Sequence, residues 1–193
     1  PQQDDPIARL HGGLERATRL LSQLLLLARM ESDAPGDSPR ERVDLQAVCR
    51  EAIADVLPQA HAARLDVGLE TPAVEARVRG EPESLRILLR NLLENAVKFA
   101  PPGGRVDVSI EATPHASTLR VEDSGPGIPR EERRRVFDRF YRGGGATDHP
   151  GSGLGLAIVQ AIAKRHGATV TLQDSERLGG LRVELAFPHA RQA

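Results

Sequence analysis

Gly151-Ser152-Gly153-Leu154-Gly155-Leu156 stands directly before a helical pattern, and Asp123-Ser124-Gly125-Pro126-Gly127-Ile128 stands directly after a strand-like alternation. Between them, residues 124–152 are rich in Gly, Arg and Pro and form a long connection around one short helical piece. Connections beyond about 15 residues without regular structure are uncommon in compact domains and often serve as functional lids or are disordered. A glycine-rich turn feeding a helix N-terminus points backbone N–H groups at one place, and the helix dipole favours an anion there. Phosphate is the natural guest. The second motif is not a Walker A loop, because no lysine follows the glycines, and it breaks Gly-x-Gly-x-x-Gly because position 156 is Leu. Either glycine motif alone also reads as a flexible turn. Their pairing across one connection argues for a site.

Upstream lies a long helix, opened by Glu81-Pro82-Glu83 and running to about Phe99, with Leu85, Leu88, Leu89, Leu92 and Leu93 on its inner face. It contains Asn91-Leu92-Leu93-Glu94-Asn95-Ala96-Val97-Lys98-Phe99. Asn91 and Asn95 sit four apart and share one face, with Glu94 and Lys98 beside it. Asn disfavours helix interiors because its side chain competes for backbone groups. Neutral carbonyl oxygens facing a cleft can complete an oxygen shell around Mg²⁺, a hard cation that keeps waters and substrate phosphates. The plain alternative is a solvated polar face.

The remaining pattern fixes the fold class. Val43 and Leu45 fit a short edge strand, and a helix runs from Gln46 to about Ala63 with Pro58 as a kink or stop. Leu65, Val67 and Leu69 alternate, as do Val74, Ala76 and Val78, a pattern that Gly80 ends. After the turn Pro101-Pro102-Gly103-Gly104, residues 106–110 and 119–121 read as a hairpin. A helix from about Leu154 to Arg165 and strands at Thr169–Gln173 and Leu181–Ala186 follow. Paired strands with interspersed helices predict a two-layer α/β sandwich rather than a doubly wound sheet.

Residues 1–32 read as one more helix. Leu10, Leu14, Ala17, Leu21, Leu24 and Ala28 recur at heptad spacing, widened by Leu20, Leu25, Leu26 and Leu27. The stripe needs a partner, either the domain that follows or another arm of a helical hairpin that dimerises; the hairpin is the preferred reading. The run at 33–39, Asp-Ala-Pro-Gly-Asp-Ser-Pro, predicts a linker. The expected organisation is helix 1–34, linker 35–40 and a compact domain over 41–189.

Composition bounds the rest. A chain of 193 residues with 26 Lys plus Arg against 27 Asp plus Glu has a charge balance that argues against a nucleic-acid binder. The single cysteine, Cys49, excludes an intrachain disulfide and reads as a small buried hydrophobe. No apolar run approaches the ~20 residues that span a bilayer. The chain begins at Pro1 in a polar stretch and reads as a piece of a longer protein.

Asn91–Phe99, Asp123–Ile128, Phe137-Asp138-Arg139-Phe140-Tyr141-Arg142 and Gly151–Leu156 occur in the order of the N, G1, F and G2 boxes. The chain thereby resembles bacterial two-component sensor histidine kinases, in particular enterobacterial-type kinases that sense metal, quorum or antimicrobial-peptide signals. Residues 1–32 resemble the second helix of the dimerisation and histidine-phosphotransfer domain, and 41–189 the catalytic ATP-binding domain, a Bergerat-type sandwich. The resemblance implies ATP and Mg²⁺ as ligands. It implies a metal role for Asn95 and a supporting one for Asn91. Lys98 would contact phosphate, and Phe99 would pack near the nucleotide. Asp123 would accept a hydrogen bond from the adenine amino group. Gly125, Gly127 and Ile128 would shape the base pocket. Phe137 and Phe140 would anchor the lid, with Phe140 close to the ligand, and Arg142 would reach the γ-phosphate. Gly151, Ser152, Gly153, Leu154, Gly155 and Leu156 would form the phosphate turn. The catalytic set would be Asn91, Lys98 and Arg142.

The resemblance further implies a phosphotransferase whose intact form is an inner-membrane homodimer with this portion in the cytoplasm. Its partner would be a response-regulator receiver domain. One departure stands out. The family's phosphoacceptor lies in His-Glu/Asp-x-Arg/Lys-x-Pro, whereas His11 here is followed by Gly12-Gly13-Leu14. His61, His115, His149, His166 and His189 lack metal-ligand spacing and read as surface or packing residues. A gyrase- or chaperone-type ATPase would carry Glu at position 91 as general base; Asn91 argues against it. The alternative from another class is a nucleotide-free interaction module of the same fold.

Overall fold

The structure is a computed structural model that describes residues 6–32, 41–71, 75–143 and 151–189. Helix α1 (Pro6–Ser32) leads. Strand β1 (Glu41–Asp44), helix α2 (Leu45–Ala62), β2 (Asp66–Glu70), β3 (Arg77–Gly80) and α3 (Pro82–Phe99) follow. Then come β4 (Arg105–Ala112), β5 (Ala116–Asp123), a single 3₁₀ turn (Arg135–Phe137), α4 (Gly155–Arg165), β6 (Thr169–Asp174) and β7 (Leu181–Pro188). The expected linker at 35–40, Val74 and His149 lie outside the described residues.

The main sheet has the order β2-β4-β5-β7-β6, parallel only between β2 and β4. β1 and β3 form a separate antiparallel ribbon. Period-2 alternation builds the layers. Val106, Val108, Ile110, Leu119, Val121 and Val183 face the helices and join Leu88, Leu89, Leu93 and Ile158 in one core. The expected two-layer α/β sandwich is what forms. The other sheet face is polar. There Asp107 and Glu122 stand opposite each other in the register, and each is nearly inaccessible. Arg177 Nη2 lies 3.0 Å from Asp107 and 3.5 Å from Glu122, and Arg105 and Arg182 complete the pairing. Like charges placed opposite would repel; the guanidiniums offset that.

Three local readings change. Leu45 is not a strand residue: Asp44 caps α2, its Oδ1 accepting from Gln46 N at 2.9 Å, so the helix starts at Leu45, which turns into the core. Pro58 does not stop α2, which runs on to Ala62 with Pro58 on its exposed side. Ala76, expected within a strand, instead precedes β3, where its carbonyl accepts from Leu45 N.

α3 carries the predicted polar face, and its first turn is tied down from a distance. Glu81 N donates to His166 Nε2 at 3.1 Å, and His166 Nδ1 donates to Ile162 O at 2.8 Å. An imidazole at the end of α4 thus satisfies a backbone donor at the start of α3, which no side chain of its own caps. His166 is the packing residue the sequence suggested.

Helix α1 docks on α4. Leu27 is buried, and Leu26 and Met30 pack against the core. The face used is not the heptad seam. Leu14, Leu21 and Leu24 remain 65%, 59% and 37% exposed, so the docked helix still presents its apolar stripe outward.

Candidate nucleotide site

The inner helix and the second glycine turn meet. Asn91 Nδ2 donates to Ile87 O, one turn back, at 2.8 Å, which leaves Oδ1 as an acceptor. A β-carbon placed on Gly155 would stand 3.4 Å from Asn91 Oδ1 and 3.4 Å from Asn95 Nδ2. One placed on Gly151 would stand 2.6 Å from Lys98 Nζ. Asn91, Asn95 and Lys98 therefore line up along the turn 151–155. Glu94, beside the same face, pairs with Arg90 at 3.7 Å.

The charge of this region is positive and compressed. Lys98 Nζ lies 4.4 Å over the Phe99 ring. Burial first, then the Arg142 guanidinium, hold the Lys98 ammonium below its usual range. Among the described residues no carboxylate pairs with Lys98. The turn beside it feeds α4, whose N-terminus carries no side-chain cap to its first amides. A cation beside a glycine turn that feeds a helix without a side-chain cap is an environment that favours an anion. Leu154 is fully buried and Leu156 packs on the core, so these two serve the turn through their backbone.

The F-box segment is clamped onto the same turn. Phe140 N donates to Gly153 O at 2.9 Å. Phe140 has φ +62° and Gly153 φ +69°. A β-carbon on Gly153 would stand 2.7 Å from the Phe140 carbonyl carbon, so only glycine fits that crossing. Phe137 packs against the core as an anchor. Phe140 was expected to anchor likewise; the residue is 59% exposed, and it holds the turn through its backbone.

The other end of the site centres on Asp123. It is 7% exposed, and its Oδ1 accepts from Gly125 N at 2.8 Å and Leu181 N at 3.3 Å. Burial raises its pKa, and those two bonds pull it back. Gly127 has φ +72°, the conformation that the turn after Asp123 requires. Ile128 packs on the core and its carbonyl is held by Arg133 Nε at 2.9 Å. Gly180 was missed by the sequence reading. A β-carbon there would stand 2.5 Å from Asp123 Oδ1. The pair Gly179-Gly180 before a strand was the available signal. Gln23 of α1, which reaches Ser152, had none.

Among the described residues no group of three or more His, Cys, Asp or Glu is arranged to hold a metal. The neutral oxygens of Asn91 and Asn95 beside an anion seat fit a hard cation that arrives with phosphates and water.

The pattern of the histidine kinase-, DNA gyrase B- and HSP90-like ATPases matches residues 80–191. Sensor protein QseC of Escherichia coli K12 is 40% identical over 190 residues, covering 95% of this chain and 41% of that protein. The solved structure of the cytoplasmic segment of histidine kinase QseC aligns at TM-score 0.61 with 31% identity, covering 91% of this chain and 95% of that one. Full-length ShkA in complex with AMPPNP aligns at TM-score 0.81 with 26% identity, covering all of this chain and 40% of that one. The chain belongs to the histidine kinase-, DNA gyrase B- and HSP90-like ATPase family. Within it, the chain corresponds to the ATP-binding catalytic domain of sensor histidine kinases, with α1 as the preceding helix. It spans about two fifths of the length of the curated relatives it matches. No helix among the described residues is long and apolar enough to cross a membrane.

Proposed function

We propose that residues 41–189 form one domain that binds Mg·ATP between α3 and the 124–152 connection, as the nucleotide half of a protein-histidine kinase. The observation that carries the reading is the convergence of Asn91, Asn95 and Lys98 on the turn 151–155. Asp123 takes the adenine amino group on Oδ2, since both of its hydrogen bonds fall on Oδ1. Gly125, Gly127 and Ile128 shape the base pocket, with Phe99 and Phe140 near the ligand. Lys98 and Arg142 bind the phosphates, and the amides of the glycine turn hold them in place. Asn95 holds the Mg²⁺, with Asn91 supporting that region; the ion neutralises phosphate charge. The complex of ShkA with AMPPNP supports nucleotide binding in this fold.

In the longer protein the γ-phosphoryl passes to a histidine on a helix outside this chain, then to a receiver-domain aspartate of a response regulator. Catalysis rests on positioning and charge neutralisation. The exposed Leu14–Leu24 stripe suits a helical hairpin that dimerises. The intact kinase sits in the inner membrane with this part in the cytoplasm. Calorimetric titration with Mg·ATP tests the core of the proposal: one site per chain is expected, and no heat of binding for ATP or ADP refutes it.

A further inference from the structure

The face of α1 that packs on the catalytic layer ends on the glycine turn itself. Ser152 Oγ donates to Gln23 Oε1 at 3.0 Å and accepts from Leu154 N at 3.2 Å. Leu27, one turn beyond Gln23, is 2% exposed, so the contact belongs to a docked helix rather than a stray side chain. Its chemistry withholds two donors. A serine has one O–H, here spent on Gln23, and the Leu154 N–H is spent on the same oxygen. Both belong to the turn proposed to hold phosphate. A cavity of about 400 Å³ lies between α1 and α3, lined by Gln23, Leu26, Arg29, Arg90, Asn91 and Glu94. Asn91 lines this cavity and also faces Gly155. Helix and nucleotide therefore address one turn from adjoining sides.

We propose that Gln23 competes with the nucleotide's phosphates for the Ser152 hydroxyl, so that docking of α1 and nucleotide binding oppose each other. The inference rests on the nucleotide reading above. An anionic phosphate oxygen is a stronger acceptor than a neutral amide. When nucleotide arrives, the Ser152 O–H turns to it and Gln23 loses its partner. Linkage makes the effect reciprocal: displacing α1 tightens nucleotide binding by the factor with which nucleotide loosens α1. The apolar contacts of Leu27 are untouched, so a single hydrogen bond sets the scale.

The test is a double-mutant cycle on the whole 193-residue chain, with Mg·ATP affinity measured by calorimetry for the parent, Gln23→Met, Ser152→Ala and the double variant. Met keeps the length and helix propensity of Gln and removes the acceptor. Gln23→Met is expected to tighten binding about three- to tenfold, the size of one neutral hydrogen bond. In the Ser152→Ala background it should change nothing. Hydrogen exchange adds a second readout: ATP should speed exchange across residues 20–30 in the parent. Unchanged or weaker affinity in Gln23→Met, or the same gain with Ser152 absent, overturns the inference while leaving the nucleotide reading intact. A parent chain that binds no Mg·ATP overturns both.

Discussion

Asp123→Asn separates ligand recognition from folding at one atom. The carboxylate is 7% exposed, with Gly125 N at 2.8 Å and Leu181 N at 3.3 Å on Oδ1. In the variant those two donors still demand an oxygen, so the amide turns its oxygen to them and its Nδ2 to the ligand. A donor then faces the adenine amino group. The lost bond is charge-assisted, worth about 1.5–3 kcal/mol. ATP affinity should fall roughly ten- to 150-fold. Stability should not follow. Burial raises the Asp123 pKa against the pull of its two N–H bonds. A carboxyl whose folded pKa exceeds its unfolded value binds more protons when folded, so stability falls as pH rises through that interval, and the cost is complete above the folded pKa. An amide carries no such cost. Without nucleotide, the variant should melt at or above the parent temperature at about pH 8, and the gap should narrow as pH drops through the raised pKa. Calorimetric titration and scanning calorimetry across pH read both quantities. Parent-like ATP affinity in a folded variant would sink the base-pocket assignment. Affinity lost only in step with a lowered melting temperature would show that Asp123 serves the fold.

Gly153→Ala forces a β-carbon to within 2.7 Å of the Phe140 carbonyl carbon at a φ of +69°. It should cost about 1–3 kcal/mol of stability and weaken ATP binding, and a melting temperature equal to the parent's would refute the clamp. Burial pushes the Cys49 thiol up to about 12, so a thiol reagent at neutral pH should modify it only on unfolding; fast labelling of the native chain would contradict this. The chain should bind Mg·ATP without labelling itself from γ-labelled ATP, because Gly12 follows His11 where the family has its acid. Acid-labile, base-stable phosphate on His11 would overturn that expectation.

Sequence alone determined the fold class and named the residues of the candidate site, because both readings rest on local patterns. Period-2 alternation at 106–110 and 119–121 set the hairpin, and the 85–93 leucines set the inner face of α3. The boxes announced themselves through residue types that helices and strands otherwise avoid: Asn within a helix, glycines at a helix start. What stayed hidden depends on segments that meet only when the chain closes. The capping of Asp44 decided Leu45. Nothing in the residues near Glu81 reveals that His166, 85 positions away, satisfies its amide. The press of Gly180 on Asp123 and the reach of Gln23 to Ser152 are likewise long-range. Periodicity showed that α1 has an apolar stripe, yet it could not say which face docks. Tertiary packing set Leu27 against the domain and left Leu14, Leu21 and Leu24 outward, because a helix with apolar residues on more than one face chooses by shape complementarity, which sequence spacing does not encode.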